Sequence, residues 1–133
     1  MKTYAFRLKP GQDLREEIEK FAKGHGIKAG VIVSCVGSLQ KAVLRMAGAK
    51  PEAEPIKTYE GSFEIVSLVG TLESGDRHLH IAISDKEGNV FGGHLKKGSI
   101  VEATAELVLG DLENTTFTRR SDPTTGYDEL VVE

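Results

Sequence analysis

The chain is poor in cysteine, in long apolar runs and in basic charge. Cys35 is the only cysteine among 133 residues, so neither an intrachain disulfide nor a thiolate metal cluster can form within one subunit. The sequence has no uninterrupted apolar run of roughly 18 residues and no N-terminal secretion signal. These absences predict a soluble, unexported chain in the cytoplasm.

The charge balance argues against tight DNA binding by a lone chain. Seventeen Lys and Arg face twenty Asp and Glu, a net charge of −3, whereas proteins that hold nucleic acid electrostatically usually carry a basic face. The basic residues cluster only as Lys96-Lys97, Arg119-Arg120 and Lys41 with Arg45, and each such group is typical of solvated surface.

Length and patterning predict a single domain over residues 1–133 that begins with a strand and a helix. Apolar residues alternate with polar ones before Pro10-Gly11, as in a half-buried strand. Asp13 can cap a following helix that Gly24 or Gly26 ends. The alternating strand residues are Tyr4, Phe6 and Leu8, and the helical apolar face is Leu14, Ile18, Phe21 and Ala22.

The remaining sequence predicts mostly strands. Residues 31–36 are rich in β-branched side chains, and Gly37-Ser38 separates them from residues 42–46, which predicts a hairpin. After an irregular loop, the apolar stretch within residues 63–72 predicts a central strand buried on both faces. Further strands are expected over residues 79–84, 89–95 and 103–109, and the tail 114–133 is expected to cover a sheet edge or a neighbouring subunit. The fold class is therefore α/β (α+β), mostly antiparallel β with one main amphipathic helix near the N-terminus.

The sharpest functional signal is a group of histidines. Strand alternation places His78 and His80 on one face, opposite Leu79 and Ile81. A two-residue turn at Glu87-Gly88 would put His94 opposite Ile81, on the apolar face. A three-residue loop over residues 86–88, with Gly88 left-handed, pairs His80 with His94 and keeps apolar residues opposite apolar ones.

The second register brings three imidazoles together, which predicts a metal site. Directly opposed residues in an antiparallel pair have Cβ atoms about 4.5–5.5 Å apart, so the ring nitrogens of His78, His80 and His94 can converge on one ion, zinc being the metal expected. Gly92 and Gly93 lack side chains, which leaves space for a neighbouring backbone or a fourth ligand. The alternative is three solvated histidines that bind nothing.

Other polar residues are weaker candidates. Glu64, Glu73 and Asp76 precede the histidines in the chain and are the candidate general bases, although Glu64 is expected to form a structural hydrogen bond to the backbone or to Lys57. Cys35 is expected to pack in the interior rather than act as a nucleophile. His25 is expected to be a solvated loop residue.

Two segments resemble the plants-and-prokaryotes-conserved (PPC) domain family. They are Tyr59-Glu60-Gly61-Ser62-Phe63-Glu64-Ile65-Val66-Ser67-Leu68-Val69-Gly70 and Gly88-Asn89-Val90-Phe91-Gly92-Gly93-His94-Leu95. The resemblance extends into the tail through Phe117, Arg119, Asp122-Pro123 and Gly126. It implies a compact α/β fold, a homotrimer and, in prokaryotic members, a zinc ion held by His78, His80 and His94. Only assembly around the three-fold axis of such a trimer would concentrate the basic clusters into a patch.

The resemblance leaves the function open between different classes. Plant relatives are nuclear proteins that add a separate AT-hook for DNA, whereas this sequence has no such hook and carries Ser62 and His94 where plants usually have arginine and glycine. The first expectation is an oligomeric interaction module for DNA or a regulatory partner, with structural zinc. The alternatives are a metal-dependent enzyme of hydrolase or hydratase type and a small-molecule sensor, both using an open fourth position on the metal.

Overall fold

The computed structural model describes residues 1–73 and 75–133. Within these residues, one helix and eight strands follow each other along the chain. They are β1 (Lys2–Leu8), α1 (Leu14–Gly24), β2 (Gly30–Arg45), β3 (Ile56–Glu73), β4 (Asp76–Ser84), β5 (Val90–Leu95), β6 (Ile100–Asp111), β7 (Phe117–Ser121) and β8 (Asp128–Val132). Antiparallel β structure with one short helix is the predicted fold class, which is confirmed.

Local chemistry fixes both ends of α1. The Asp13 side chain accepts a hydrogen bond from the Glu16 amide at 3.0 Å, which caps the helix N-terminus. At the other end, the Ile27 amide donates to the Ala22 carbonyl, and Gly26 adopts a φ of 67°. This left-handed glycine ends the helix in a Schellman motif, so the second of the two expected helix stops is the one used.

Strands β2 to β5 close on themselves. The main sheet has the order β1-β6-β2-β3-β4-β5, and β5 also pairs with the end of β2 through Leu44↔Leu95 and Arg45↔His94. The Lys96 amide extends this seam by donating to the Val43 carbonyl at 2.9 Å. Closure places Arg45 directly beside His94.

The predicted hairpin over residues 31–46 is wrong. These residues belong to one continuous strand, β2, which pairs with β6 on one side and β3 on the other. Gly37 marks a register shift between β2 and β6 rather than a turn. A Cβ at this position would lie 2.0 Å from the Thr104 carbonyl oxygen. The glycine therefore permits a close approach between β2 and β6.

β3 is central, as predicted, but it buries only one face. It lies between β2 and β4, and Ile65 and Leu68 are buried at 6% and 4% exposure. Val66 and Val69, by contrast, are exposed at 53% and 56%. The expectation of burial on both faces is wrong for the single chain, since no layer of the described chain covers these two valines.

The core lies inside the closed strands and beneath α1. Its largest fully buried side chains come from the helix, the connection after it and five strands: Leu14, Ile18, Ile27, Leu39, Leu44, Leu72, Leu79, Ile83, Leu95, Val101, Leu107 and Leu109. Within the residues described, the chain contains no helix with the length and apolar character needed to cross a membrane.

The tail forms a separate hairpin of β7 and β8. The Arg119 Nε atom donates to the Glu73 carboxylate, and Arg119 Nη2 donates to Thr71 Oγ1 at 3.3 Å. The tail therefore contacts the end of β3, where it borders the histidine face of the sheet.

Candidate metal centre

His78 and His80 project from the outer face of β4. Burial alternates along this strand: Leu79 and Ile81 are 1% and 3% exposed, whereas both histidines are exposed. The two Nε2 atoms lie 3.0 Å apart. The predicted alternation is confirmed.

His94 joins this pair through the register of β4 and β5. The two strands pair His80 with His94 and Ile83 with Phe91. In the connecting loop the Asp85 amide donates to the Asn89 carbonyl at 3.0 Å, and Gly88 has a φ of 82°. The register with the three-residue loop is confirmed, and the two-residue turn is wrong.

The three imidazoles form a group that could hold a metal ion. One ring nitrogen from each histidine lies within 4.8 Å of the other two. Tetrahedral zinc with Zn–N bonds of 2.0–2.1 Å sets its ligand nitrogens roughly 3.3 Å apart, a spacing that lies between the shortest and the longest separations here. Three imidazole donors on two paired strands therefore fit zinc in number, chemistry and spacing.

The surroundings keep two of the histidines neutral, the form that binds a metal. Burial, followed by the positive charge of Arg45, lowers the pKa of His94 to about 3. Burial and then His80 lower the pKa of His78 from its ordinary value. Neither ring needs to release a proton before it can accept a metal ion at neutral pH.

Arg45 contacts His94 directly. Its Nη2 atom lies 3.2 Å from His94 Nδ1, and its Nη1 atom lies 3.1 Å from Glu54 Oε1. A guanidinium only donates hydrogen bonds, so Nδ1 is the acceptor and its lone pair points at Arg45. A metal ion on either ring nitrogen would end this contact, because Nδ1 would then either bind the metal or carry the ring proton.

The three histidines border a cleft of about 690 Å³, which we name the histidine cleft. Its lining includes five basic residues, three acidic residues and Tyr127, whose hydroxyl donates to the Ala49 carbonyl at 2.9 Å. The basic residues are Arg15, Arg45, Arg77, Lys96 and Arg119, and the acidic residues are Asp76, Asp128 and Glu129. The cleft can therefore accept a small polar ligand beside the imidazoles.

Most of the basic groups have an acidic partner. Arg77 Nη2 lies 2.8 Å from Glu19 Oε2, and Arg119 contacts the buried Glu73. Arg45 and Lys96 share Glu54, with Lys96 Nζ 3.5 Å from Glu54 Oε2. These pairs hold the guanidinium groups in place around the histidines.

The glycines beside His94 serve strand packing. A Cβ on Gly92 would lie 2.1 Å from the Ile81 carbonyl oxygen, and one on Gly93 would lie 2.6 Å from the Arg45 carbonyl oxygen. A neighbouring backbone therefore approaches both positions, which is the first of the two alternatives expected from the sequence; the other was a fourth ligand. The histidine cleft supplies the space expected for a fourth ligand.

Of the three acids proposed as general bases, only Asp76 lines the histidine cleft. Glu73 is buried against Arg119. Glu64 is exposed, so its expected buried hydrogen bond is wrong, because β3 buries only one face. Glu129 and Asp128 line the cleft without having been predicted, since only the folding back of the tail brings them there.

The remaining candidates behave as packing or surface residues. Cys35 packs against the core, and burial raises the pKa of its thiol to about 12, which makes it a poor nucleophile. His25 is exposed where α1 ends, and its ring stacks on Phe21 with centroids 3.9 Å apart.

The interpretation of the basic clusters as separate solvated surface was incomplete. Each of the three contributes one residue to the histidine cleft, namely Arg45, Lys96 and Arg119. The fold brings them together within one chain, without any three-fold axis. Arg15, which the sequence did not single out, joins them from the first turn of α1.

Comparison with known proteins identifies the family. Residues 1–113 match the Plants and Prokaryotes Conserved (PCC) domain, the family abbreviated PPC above. The chain belongs to this family.

Two curated relatives are much longer proteins. The bifunctional protein GlmU of Synechococcus sp. (strain JA-3-3Ab) is 43% identical over 133 residues, which is 100% of this chain and 21% of that protein. AT-hook motif nuclear-localized protein 6 of Arabidopsis thaliana is 30% identical over 116 residues, covering 81% of this chain and 28% of the relative. The chain spans about a fifth of the length of the first curated relatives that it matches.

Solved structures share the whole fold. A protein from Salmonella cholerae-suis (Salmonella enterica) superposes with a TM-score of 0.94 at 41% identity, covering 99% of this chain and 93% of that one. A protein from Archaeoglobus fulgidus, described as metal-containing, superposes with a TM-score of 0.85 at 28% identity, covering 98% and 94%.

Proposed function

We propose that this PPC domain binds one zinc ion through His78, His80 and His94. The observation that carries the proposal is the convergence of three imidazole nitrogens within 4.8 Å on two paired strands. Neutral imidazole is a preferred zinc ligand, and three protein ligands with one open position are typical of catalytic zinc sites. The metal-containing relative from Archaeoglobus fulgidus supports the proposal.

Zinc held by these three histidines would supply a Lewis-acidic centre with an open ligand position. The residues of the chain do the rest. The β4–β5 pairing sets the spacing of the imidazoles, and burial keeps His94 neutral.

Metal content tests this proposal. Elemental analysis of the purified chain should give one zinc per three-histidine site, and His80→Ala and His94→Ala should each lose it. His25→Gln is the matched control, because it removes the one histidine that lies outside the site. A folded wild-type protein that stays metal-free after incubation with zinc would refute the proposal.

We further propose that the domain acts as an oligomeric module, a homotrimer, for interaction with DNA or a regulatory partner. Family membership and the plant AT-hook relative support an interaction role. Four valines support association, because they are more than half exposed on β2 and β3: Val33, Val36, Val66 and Val69. Apolar surface of this kind is favourable to bury between copies.

Two measurements test the interaction role. Light scattering should give the mass of three chains, and Val66→Glu should lower it, since a charge would have to be desolvated at the contact. An AT-rich DNA fragment should bind at low salt and dissociate as salt rises. A monomer in solution would contradict the trimer, and absence of DNA retention at low salt would leave only a protein partner.

The histidine cleft favours a second candidate, a metal-dependent hydrolase or hydratase, or a small-molecule sensor. A concave site of about 690 Å³ beside the imidazoles suits a small molecule better than a duplex. Asp76 and Glu129 line it and are the candidate general bases. Turnover that depends on zinc and falls in Asp76→Asn or Glu129→Gln would indicate an enzyme, whereas binding without turnover would indicate a sensor.

A further inference from the structure

The histidine cleft contains a basic group, Arg15, whose charge is favoured by the carboxylates of Glu19, Asp76 and Asp13 but pairs with none of them in the described structure. Arg15 lines the cleft and, within the described part of the chain, takes part in no ion pair. Its Nε atom is buried and has no hydrogen-bond acceptor among the same residues. A buried N–H group without an acceptor is unfavourable, so this arrangement calls for an acceptor from outside the chain.

Helix stability does not explain Arg15. It is the second residue of α1, where the helix dipole disfavours a positive charge. Burial and the neighbouring charge of Arg77 also lower its pKa. Arg77 also has a buried Nε atom without an acceptor, but its Nη2 atom pairs with Glu19 at 2.8 Å. Both the helix position of Arg15 and its burial therefore disfavour its positive charge, although it lines the cleft that holds the proposed metal site.

Two further guanidinium groups face the same histidines. Arg45 contacts His94, and its charge contributes to the lowered pKa of both His94 and His78. Arg119 contributes to the lowered pKa of His78 and uses Nε and Nη2 for Glu73 and Thr71, which leaves Nη1 without a hydrogen bond in the described structure. Arg15 and Arg119, which both line the histidine cleft, therefore each keep a donor without a partner in the described structure.

The acidic residues of the cleft limit the charge of the ligand. Asp76, Asp128 and Glu129 line it together with the basic groups. They repel a dianion more strongly than a monoanion, and they can accept hydrogen bonds from hydroxyl groups on a ligand. A singly charged carboxylate satisfies both sets of residues better than a phosphate dianion.

We propose that the histidine cleft binds a small organic acid whose carboxylate accepts hydrogen bonds from Arg15 beside the three histidines and takes the open position on the metal. Arg15 acts as the specificity-determining residue, with Arg45 and Arg119 completing the positive surroundings. This inference rests on the metal site proposed above, but its Arg15 contact can be measured separately.

The test uses acetate as the probe and the Arg15 Nε–Hε signal in NMR spectra as the readout. Acetate should shift this signal in the zinc-loaded protein, and Arg15→Gln should weaken acetate binding roughly tenfold to a hundredfold, the effect of losing a charge-assisted hydrogen bond. Arg15→Lys should recover part of the affinity. Arg7→Gln on β1 is the matched control, because it removes an exposed arginine outside the cleft and should change nothing.

The outcomes separate the two proposals. If the Arg15 Nε–Hε signal of the zinc-loaded protein does not shift with acetate up to about 100 mM, the inference is overturned and the zinc site is unaffected. Phosphate binding as tightly as acetate would overturn the preference for a carboxylate. A protein that binds no zinc but still binds acetate through Arg15 would refute the metal site and support the carboxylate contact.

Discussion

The inner face of the β4–β5 pair is apolar and closed, whereas its outer face is polar and open. Leu79, Ile81 and Leu95 are at most 3% exposed on the inside. Outside, His78 and His80 are exposed and His94 is partly buried. Because successive side chains of a strand point to opposite faces, the backbone that packs the core also fixes the imidazoles. The core therefore supplies the geometry of the site, and the site adds little to the stability of the core.

Truncation on the two faces should have opposite consequences. Ile81→Ala should lower the free energy of unfolding by about 2–5 kcal/mol, because it leaves a cavity in the core. In the presence of a metal chelator, His80→Ala should change it by less than about 0.5 kcal/mol. Urea denaturation followed by circular dichroism measures both, and equal losses would contradict the separation of the two faces.

A side chain on Gly92 should disturb both faces at once. The Cβ of Gly92→Ala would lie 2.1 Å from the Ile81 carbonyl oxygen, so β5 must move away from β4. The expected loss of stability is about 1–3 kcal/mol, and zinc affinity should fall with it as His94 leaves His80. Gly24→Ala is the control, because nothing lies within 4 Å of that Cβ. Unchanged stability and zinc affinity in Gly92→Ala would show that this close approach is unimportant.

The outer face should make the metal-free protein sensitive to acid. Burial, Arg45, His78 and Arg15 hold the pKa of His94 at about 3, whereas an unfolded histidine titrates near 6.5. Between these values the unfolded chain binds more protons, so the free energy of unfolding falls as pH decreases. His94→Gln should show a shallower decrease between about pH 7 and 5. Identical slopes would mean that His94 protonates as readily in the folded chain.

The smallest effect concerns the positive charge beside the metal ligands. Arg45→Met removes a cation and a competing donor from His94 Nδ1, so zinc affinity should rise a few-fold, on the order of 1 kcal/mol. Competition with a coloured zinc chelator measures this, and Arg7→Met serves as the control. A lower affinity would show that Arg45 matters more for orienting His94 than for repelling the ion.

The histidine geometry was predictable because it depends on local rules. Strand alternation placed His78 and His80 together, and the left-handed Gly88 selected the loop that pairs His80 with His94. The helix was predictable for the same reason, since Asp13 and Gly26 lie at its ends.

The surroundings of the site were not predictable, because they depend on contacts between distant segments. Gly37-Ser38 resembles a turn in the sequence, but Gly37 instead lies against Thr104 of β6, which makes β2 a single long strand. That strand carries Arg45 to His94, while α1 brings Arg15 and the tail brings Arg119. No local pattern connects these three arginines.

The most direct test of the zinc site is X-ray absorption at the zinc edge on the loaded protein. Four nitrogen or oxygen neighbours at about 2.0–2.1 Å are expected, with the multiple-scattering signature of three imidazoles and no sulfur near 2.3 Å. A sulfur neighbour, fewer than three imidazoles or no bound zinc would contradict a site formed by His78, His80 and His94.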